Sequence, residues 1–111
     1  MWLDSPVNAR LSAQKALLSR ITPEIRMVTI ASGDGRALLR VYHDGPLSPD
    51  AEEEFDDATA EIMADIPNAD WEGWPSGSAP VTVEFVRRDS PARLESEGWL
   101  VYHRKETAGA G

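Results

Sequence analysis

The chain has 111 residues, of which 41% are hydrophobic, so it provides enough apolar surface for one globular domain and too little length for two. It contains no cysteine, which excludes disulfide bonds, thiolate metal sites and a cysteine nucleophile. Its formal net charge of −8 argues against nucleic acid and anionic membranes as direct partners. No apolar run approaches the roughly 20 residues that span a bilayer, and the first residues do not resemble a signal peptide. We therefore expect a small, soluble and acidic protein.

The first third of the chain predicts a helix followed by a β-hairpin. Ser5-Pro6 is a typical helix start and Thr22-Pro23 a typical stop, which places the first helix over residues 6–20. Its large apolar residues recur at helical spacing, and they are Val7, Leu11, Leu17 and Leu18. Strand-forming residues dominate 25–30 and 37–43, and the turn sequence Ser32-Gly33-Asp34-Gly35 joins these two segments as a hairpin.

The remainder of the chain predicts the same order of elements again. A second helix spans residues 49–66, from Ser48-Pro49 to the residue before Pro67. Its apolar stripe consists of Ala51, Phe55, Ala58, Ile62 and Ile66. A loop over residues 67–80 leads to an alternating strand at 81–85, and a last strand covers 99–104.

The predicted fold class is α+β, with the order αββαββ. We expect a four-stranded, mainly antiparallel sheet with both helices packed on one face. The other face of the sheet is then left partly open to water or to a partner. Residues 1–106 form a single domain in this prediction, and residues 107–111 form a flexible C-terminal tail.

Residues with catalytic or metal-binding chemistry are sparse. His43 and His103 are the only histidines, and with Asp44 they would make a metal site only if two neighbouring strands brought them together. Two exposed histidines at strand ends are the favoured interpretation. No serine lies in a nucleophile motif, and the glycine-rich turn lacks the residues of a phosphate loop. We therefore predict no catalytic residue, no metal, no cofactor and no enzymatic activity.

The charge of the chain is concentrated in its middle. Residues 44–86 contain twelve acidic residues and no Lys or Arg, whereas the rest of the chain has seven acidic and eleven basic residues. Eight of the acids lie between Asp50 and Asp65, where they repel one another along the helix with no base in the segment to relieve them. A solvated face that keeps the protein soluble is one interpretation. A surface that binds a cationic partner explains the electrostatic cost better.

The acidic residues are expected to point away from the core and to continue into a Trp-containing loop. At 100° per residue, Glu53, Asp56 and Asp57 lie opposite the apolar stripe, with Asp50 and Glu61 at one margin. The loop sequence Asp70-Trp71-Glu72-Gly73-Trp74 places two residues of a type enriched at binding hot spots beside them, although either Trp is equally suited to cap the core. The predicted partner-binding residues are Asp50, Glu53, Asp56, Asp57, Glu61, Asp70, Trp71, Glu72 and Trp74.

Several segments also resemble a known group of small bacterial α/β proteins. These segments are Ala13-Gln14-Lys15-Ala16-Leu17-Leu18, Ile21-Thr22-Pro23-Glu24-Ile25-Arg26, Ala60-Glu61-Ile62, Asp65-Ile66-Pro67, and the ending Trp99, Val101-Tyr102 and Arg104-Lys105-Glu106. The group is the immunity proteins of contact-dependent growth-inhibition toxin systems, and the resemblance covers Leu11 to Glu106. The chain departs from it by a longer loop over residues 68–79. The resemblance implies a cytoplasmic protein that binds and blocks one cognate toxin domain.

Two functions are compatible with these observations. In the first, an immunity protein neutralises a nuclease-type toxin, because its acidic face complements a basic groove that is built to hold phosphates. In the second, an acidic nucleic-acid mimic or adaptor protein binds another basic partner. Both functions predict a protein–protein interface with a basic surface on the partner.

Overall fold

The computed structural model describes residues 1–72, 74, 79–95 and 98–106, and these form two helices and one four-stranded sheet. The elements in chain order are α1 (Pro6–Ala16), β1 (Ile25–Gly33), β2 (Arg36–His43), α2 (Pro49–Asp65), β3 (Val81–Arg87) and β4 (Trp99–His103). Short 3-10 turns precede α1 at Trp2–Asp4 and follow α2 at Asn68–Trp71. The predicted order αββαββ is confirmed. The predicted tail, residues 107–111, lies outside the described residues.

The sheet has the strand order β3-β2-β1-β4. β1 is antiparallel to β2, with which it forms the predicted hairpin, and it is also antiparallel to β4. β3 runs parallel to β2 because α2 carries the chain back across one face of the sheet between these two strands. The connection from β3 to β4 then passes from one edge of the sheet to the other. The sheet is therefore mixed and mostly antiparallel, in agreement with the predicted fold class.

Both helices pack on the same face of the sheet and enclose the core. Phe55 and Ile62 of α2 are buried against the inward side chains of β1 and β2, and the Phe55 ring meets Phe85 of β3 edge to face at 5.8 Å between centroids. The Ser48 hydroxyl accepts a hydrogen bond from the Ala51 N–H at 3.1 Å and so caps α2 where the Ser-Pro signal predicts. The stripe predicted for α2 is therefore its buried face.

α1 differs from its prediction in length and in the face that it buries. The helix ends at Ala16 rather than at residue 20, because the chain turns there and Ser19 takes a left-handed conformation with φ of 65°. Its buried residues are mostly small, namely Ala9, Ser12, Ala13 and Ala16, with Leu17 immediately after the helix. The other three large residues of the predicted apolar series are exposed, namely Val7, Leu11 and Leu18. Small side chains allow α1 to lie close to its neighbours. This close packing determines which face of the helix is buried, although the larger apolar residues lie on the other face.

The sheet face away from the helices is partly covered by the connection between β3 and β4. Arg26 of β1 is only 3% exposed, and its guanidinium donates hydrogen bonds to the carbonyls of Arg88 and Ala92 at 2.7 and 2.9 Å. It also binds both carboxylate oxygens of Glu106 at 2.7 and 2.8 Å. Tyr42 is likewise buried on this face. The face is therefore partly open, as predicted, and its open part includes a polar groove of about 400 Å³ between Tyr42 and the 88–95 segment.

The buried position of Phe55 gives a first test of the core. We expect Phe55→Ala to lower the free energy of unfolding by about 3–5 kcal/mol, because the ring is 1% exposed and its removal leaves a cavity. Urea unfolding measures this change. Ala60→Ser on the exposed side of the same helix is the control and is expected to cost less than about 1 kcal/mol. A loss below about 1 kcal/mol for Phe55→Ala would contradict the described core.

The Arg26–Glu106 pair predicts a pH-dependent stability. Hydrogen bonds from Arg26, and secondarily from Arg104, lower the pKa of the Glu106 carboxyl from 4.5 to about 2. A carboxyl whose pKa is lower in the folded state stabilises the fold above the unfolded pKa, and this stabilisation is lost as the pH falls from about 4.5 to about 2.

We expect Glu106→Ala to cost about 3 kcal/mol at pH 7, because Arg26 is left buried without its counter-charge. The difference from the wild type should shrink below about pH 4.5 in urea unfolding experiments. Glu95→Ala, at an exposed residue with no ion pair among the described residues, is the control. A difference that stays constant down to about pH 3 would show that the carboxylate charge does not stabilise the fold.

Candidate partner-binding site

The acidic residues of α2 divide into two groups by their contacts. One group faces α1 and the segment that follows it, and forms ion pairs within the chain. The other group is exposed to solvent and forms no ion pair with any described residue; it consists of Asp50, Glu52, Glu53 and Asp56. Glu53 and Asp56 thus lie away from the core as predicted, and Asp50 lies at the start of the helix.

Arg20 is the main counter-charge of the acidic helix. Its guanidinium lies 2.9 Å from the Glu54 carboxylate and 3.6 Å from the Asp57 carboxylate, and it also binds Glu61. The hydrogen bonds with Glu61 and then Glu54 raise the pKa of Arg20 above its ordinary value. The expectation that no base relieves the acidic helix is therefore wrong, since Arg20 does so from a distant part of the sequence.

A second set of contacts neutralises the C-terminal end of α2. Asp65 accepts a hydrogen bond from the Ser12 hydroxyl at 2.6 Å, and the Lys15 ammonium lies 2.9 Å from the same carboxylate. The Ser12 hydrogen bond, with a smaller contribution from Lys15, lowers the pKa of Asp65. Free acidic groups are consequently concentrated toward the N-terminal half of α2. A groove of about 240 Å³ separates them from residues 19–22.

The Trp-containing loop lies at the opposite end of α2. The 17-residue helix separates Asp50 from this loop by roughly 25 Å, so the predicted residues line the length of the helix rather than form one cluster. The Asp70 carboxylate accepts a hydrogen bond from the backbone N–H of Trp2 at 2.6 Å. Trp74 is half-buried, with the Arg36 guanidinium 5.1 Å from its ring centroid. Trp71 is 37% exposed.

These positions distinguish the loop residues from one another. Trp74 and Asp70 make contacts within the fold, next to a small apolar cavity that Leu3 and Ile66 also line. Trp71 also lines this cavity and is 37% exposed, and Glu72 is exposed. Gly73 lies outside the described residues. Both Trp side chains therefore contact the edge of the core, and Trp71 is the more exposed of the two.

The histidines do not meet. His43 ends β2 and His103 ends β4, and β1 lies between these strands. The favoured interpretation of two exposed histidines is wrong for His43, whose ring is buried with its Nδ1 2.8 Å from the Gly45 carbonyl oxygen, whereas His103 is exposed. No group of three His, Asp or Glu side chains within the described ranges has an arrangement that would hold a metal ion. Among the same residues, no helix combines the length and the apolar character needed to cross a membrane.

The ion pairs of Arg20 predict a salt-dependent stability. We expect Arg20→Gln to lower the melting temperature at low salt, because Glu54, Asp57 and Glu61 then repel one another without a cation between them. Added salt at about 0.5 M should narrow the gap to the wild type by screening this repulsion. Arg10→Gln on the exposed side of α1 is the control. Equal melting temperatures for the two variants at low salt would contradict this role of Arg20.

Comparison with known proteins identifies the family. A search of the curated proteins found no match. The family model described as MafI2 immunity protein matches residues 6–106, which include α1, α2 and all four strands. The match covers most of the chain and agrees with the resemblance seen in the sequence. The chain belongs to the MafI2 immunity protein family.

Proposed function

We propose that this protein neutralises a nuclease-type toxin of a contact-dependent growth-inhibition system by covering the basic substrate groove of the toxin. Membership of an immunity protein family implies a cognate toxin as the binding partner. The proposal adds the surfaces that meet, the charge of the partner and a cytoplasmic location. The contact is centred on Asp50, Glu53 and Asp56 of α2.

The observation that carries the proposal is the set of exposed acids on α2 that form no ion pair with the described residues. Folding neutralises Glu54, Glu61 and Asp65 through Arg20 and Lys15, yet leaves Asp50, Glu53 and Asp56 exposed without an ion pair in the described part of the chain. These residues repel one another, although Asp50 in the first turn also stabilises the positive end of the helix dipole. A cationic partner converts this repulsion into attraction on binding.

A nuclease groove is the kind of cationic surface that fits. Such a groove carries Lys and Arg because it binds the phosphates of its substrate. An anionic helix of 17 residues, about 25 Å long, would meet several of these cations along its length. Long-range attraction between the two surfaces also accelerates their encounter. The same negative charge makes nucleic acids and anionic membranes poor direct partners of this protein.

The remaining predicted residues have graded roles in this proposal. Asp57 and Glu61 lie at the margin of the contact, and both already form ion pairs with Arg20. Trp71 and Glu72 extend the contact at the far end of α2, with Trp71 as the exposed aromatic anchor. Asp70 and Trp74 support this loop from within. Neutralisation by such an interface requires no catalytic residue and no cofactor in this chain.

Charge reversal on α2 tests the proposal against the cognate toxin domain, which is sought among the genes that flank the gene of this protein. We expect Glu53→Lys with Asp56→Lys to slow association by at least about tenfold at low salt and to weaken its salt dependence. Folding should be retained, because both side chains are exposed. Stopped-flow or surface-plasmon measurements over a range of ionic strength give the rates.

A matched control separates local from overall charge. Glu95→Lys on the opposite face of the sheet is compared with Glu53→Lys alone, because these two variants change the net charge equally, and Glu95→Lys is expected to slow association by less than about threefold. Cells that make the toxin should survive with the control and die with the α2 variant. Full protection by the α2 variant would contradict the proposed surface. Binding to an unrelated basic protein with equal affinity would favour the adaptor function instead.

A further inference from the structure

β4 forms one edge of the sheet, and its outer side pairs with no strand of the described chain. The strand order β3-β2-β1-β4 places β1 on one side of Trp99–His103 and no described strand on the other. The backbone N–H and C=O groups along such an edge are free to form hydrogen bonds with a further strand. The occupant that this edge can accept is therefore an extended strand.

The two edges of the sheet differ in how they oppose strand pairing. β3 carries charged side chains, with Glu84 bound to Arg40 at 3.1 Å and Arg87 bound to Asp89 at 3.0 Å. Charged side chains on an edge strand are a common protection against pairing between chains. β4 contains no acidic residue, lysine, arginine or proline. This edge consequently lacks the protection by charge that β3 has.

β4 also exposes a large apolar side chain on each face of the sheet. Trp99 pairs with Ile30, whose side chain lies in the core, so Trp99 is on the helix side of the sheet. Leu100 pairs with Thr29 and lies on the opposite side. The exposed fractions of Trp99 and Leu100 are 49% and 43%. A strand added to this edge would cover part of both side chains, and this burial of apolar surface favours pairing.

We propose that β4 pairs antiparallel with β4 of a second copy of this chain and so joins two sheets into one of eight strands. A two-fold axis through Val101 places Leu100 opposite Tyr102, and Trp99 opposite His103, across the contact. Aromatic and apolar residues that lie directly opposite each other are favourable cross-strand pairs. Neither of these pairs joins like charges, so β4 is complementary to itself.

Charge favours this edge over the other one for contact between two copies. A two-fold pairing of β3 about its centre would set Glu84 against Glu84, close to the acidic helix α2, which packs on β3. Pairing through β4 instead leaves the two α2 helices at least about 24 Å apart, because β3 is three strands away from β4. This separation is about three Debye lengths at physiological salt, so the acids of the two copies hardly repel each other.

Charge also favours a second copy over the toxin of the proposed function as the occupant of this edge. Two cations follow β4 directly, namely Arg104, which binds Asp44 and Glu106, and the exposed Lys105. They oppose a partner with a basic surface. In the antiparallel pair of β4 strands, the two Lys105 residues lie at opposite ends, about 26 Å apart, and hardly repel each other. The dimer also leaves both α2 surfaces accessible, so this inference does not depend on the proposed function.

The dimer is expected to be weak because β4 is short. The strand has five residues, and a shift in its register with β1 lies between Val28 and Thr29. Each chain also carries a net charge of −8. We expect a dissociation constant of about 10–100 µM at physiological salt. Salt at about 0.5 M should lower this constant, because it screens the repulsion between the chains and the paired strands contain no carboxylate, lysine or arginine.

Analytical ultracentrifugation of the isolated protein at about 5 µM to 1 mM tests this inference without a toxin. We expect Leu100→Lys to raise the dissociation constant at least about tenfold, because a lysine protects an edge strand from pairing. Thr82→Lys is the matched control, since it introduces the same charge at an exposed residue on the same face of the other edge strand. It should change the dissociation constant less than about twofold.

A thiol probe tests the contact itself, because the chain has no cysteine. In the proposed pair, the two Leu100 residues are diagonal neighbours about 7–8 Å apart, so a short bismaleimide should link the Leu100→Cys variant into dimers. The Thr82→Cys variant should stay unlinked. A wild type that remains monomeric up to about 1 mM would overturn the inference, as would a dimer that Leu100→Lys leaves intact or that Thr82→Lys dissociates. These outcomes leave the acidic surface of α2 to its own test with the toxin.

Discussion

A buried guanidinium in the central strand holds together parts of the chain that are far apart in sequence. Arg26 binds Glu106, eighty residues away, and the carbonyls of Arg88 and Ala92 in the connection between β3 and β4. A charge this deep is tolerated only when every donor has a partner. The pair therefore ties the residue Glu106 beyond β4 and the connection between β3 and β4 to β1, on the face of the sheet away from the helices.

The electrostatics of the helical layer depend on a second arginine. α1 and α2 lie side by side on the other face of the sheet, and the segment after α1 brings Arg20 to the middle of α2. One cation thus compensates the acids that face the neighbouring helix. The acids beyond its reach form no ion pair with a described residue, and we propose that these acids bind the partner. In that proposal, internal stability and recognition depend on different residues of a single helix.

The sequence predicted the elements of this fold better than their contacts. Capping signals and an unbroken apolar period located α2 and its inward face, because Phe55 and Ile62 are both large and correctly spaced. The buried face of α1 was predicted wrongly, because alanines and a serine pack inward, whereas the size of Leu11 had favoured that residue for the core. The ion pairs of Arg20 and Arg26 were not predicted, because ion pairs between distant segments leave no local pattern in the sequence. The sequence also did not predict that Trp74 is more buried than Trp71, because this difference depends on tertiary contacts such as that of Trp74 with Arg36.

The unequal faces of α1 also bear on how such a protein changes over evolutionary time. Its inner alanines lie against other elements at 0–1% exposure, so a larger residue there would push the helix away and destabilise the fold. The outer positions meet only water in the isolated chain, and substitutions there have little effect on folding. Substitutions are therefore tolerated mainly on the outer surface, where specificity for a new partner can arise while the fold is retained.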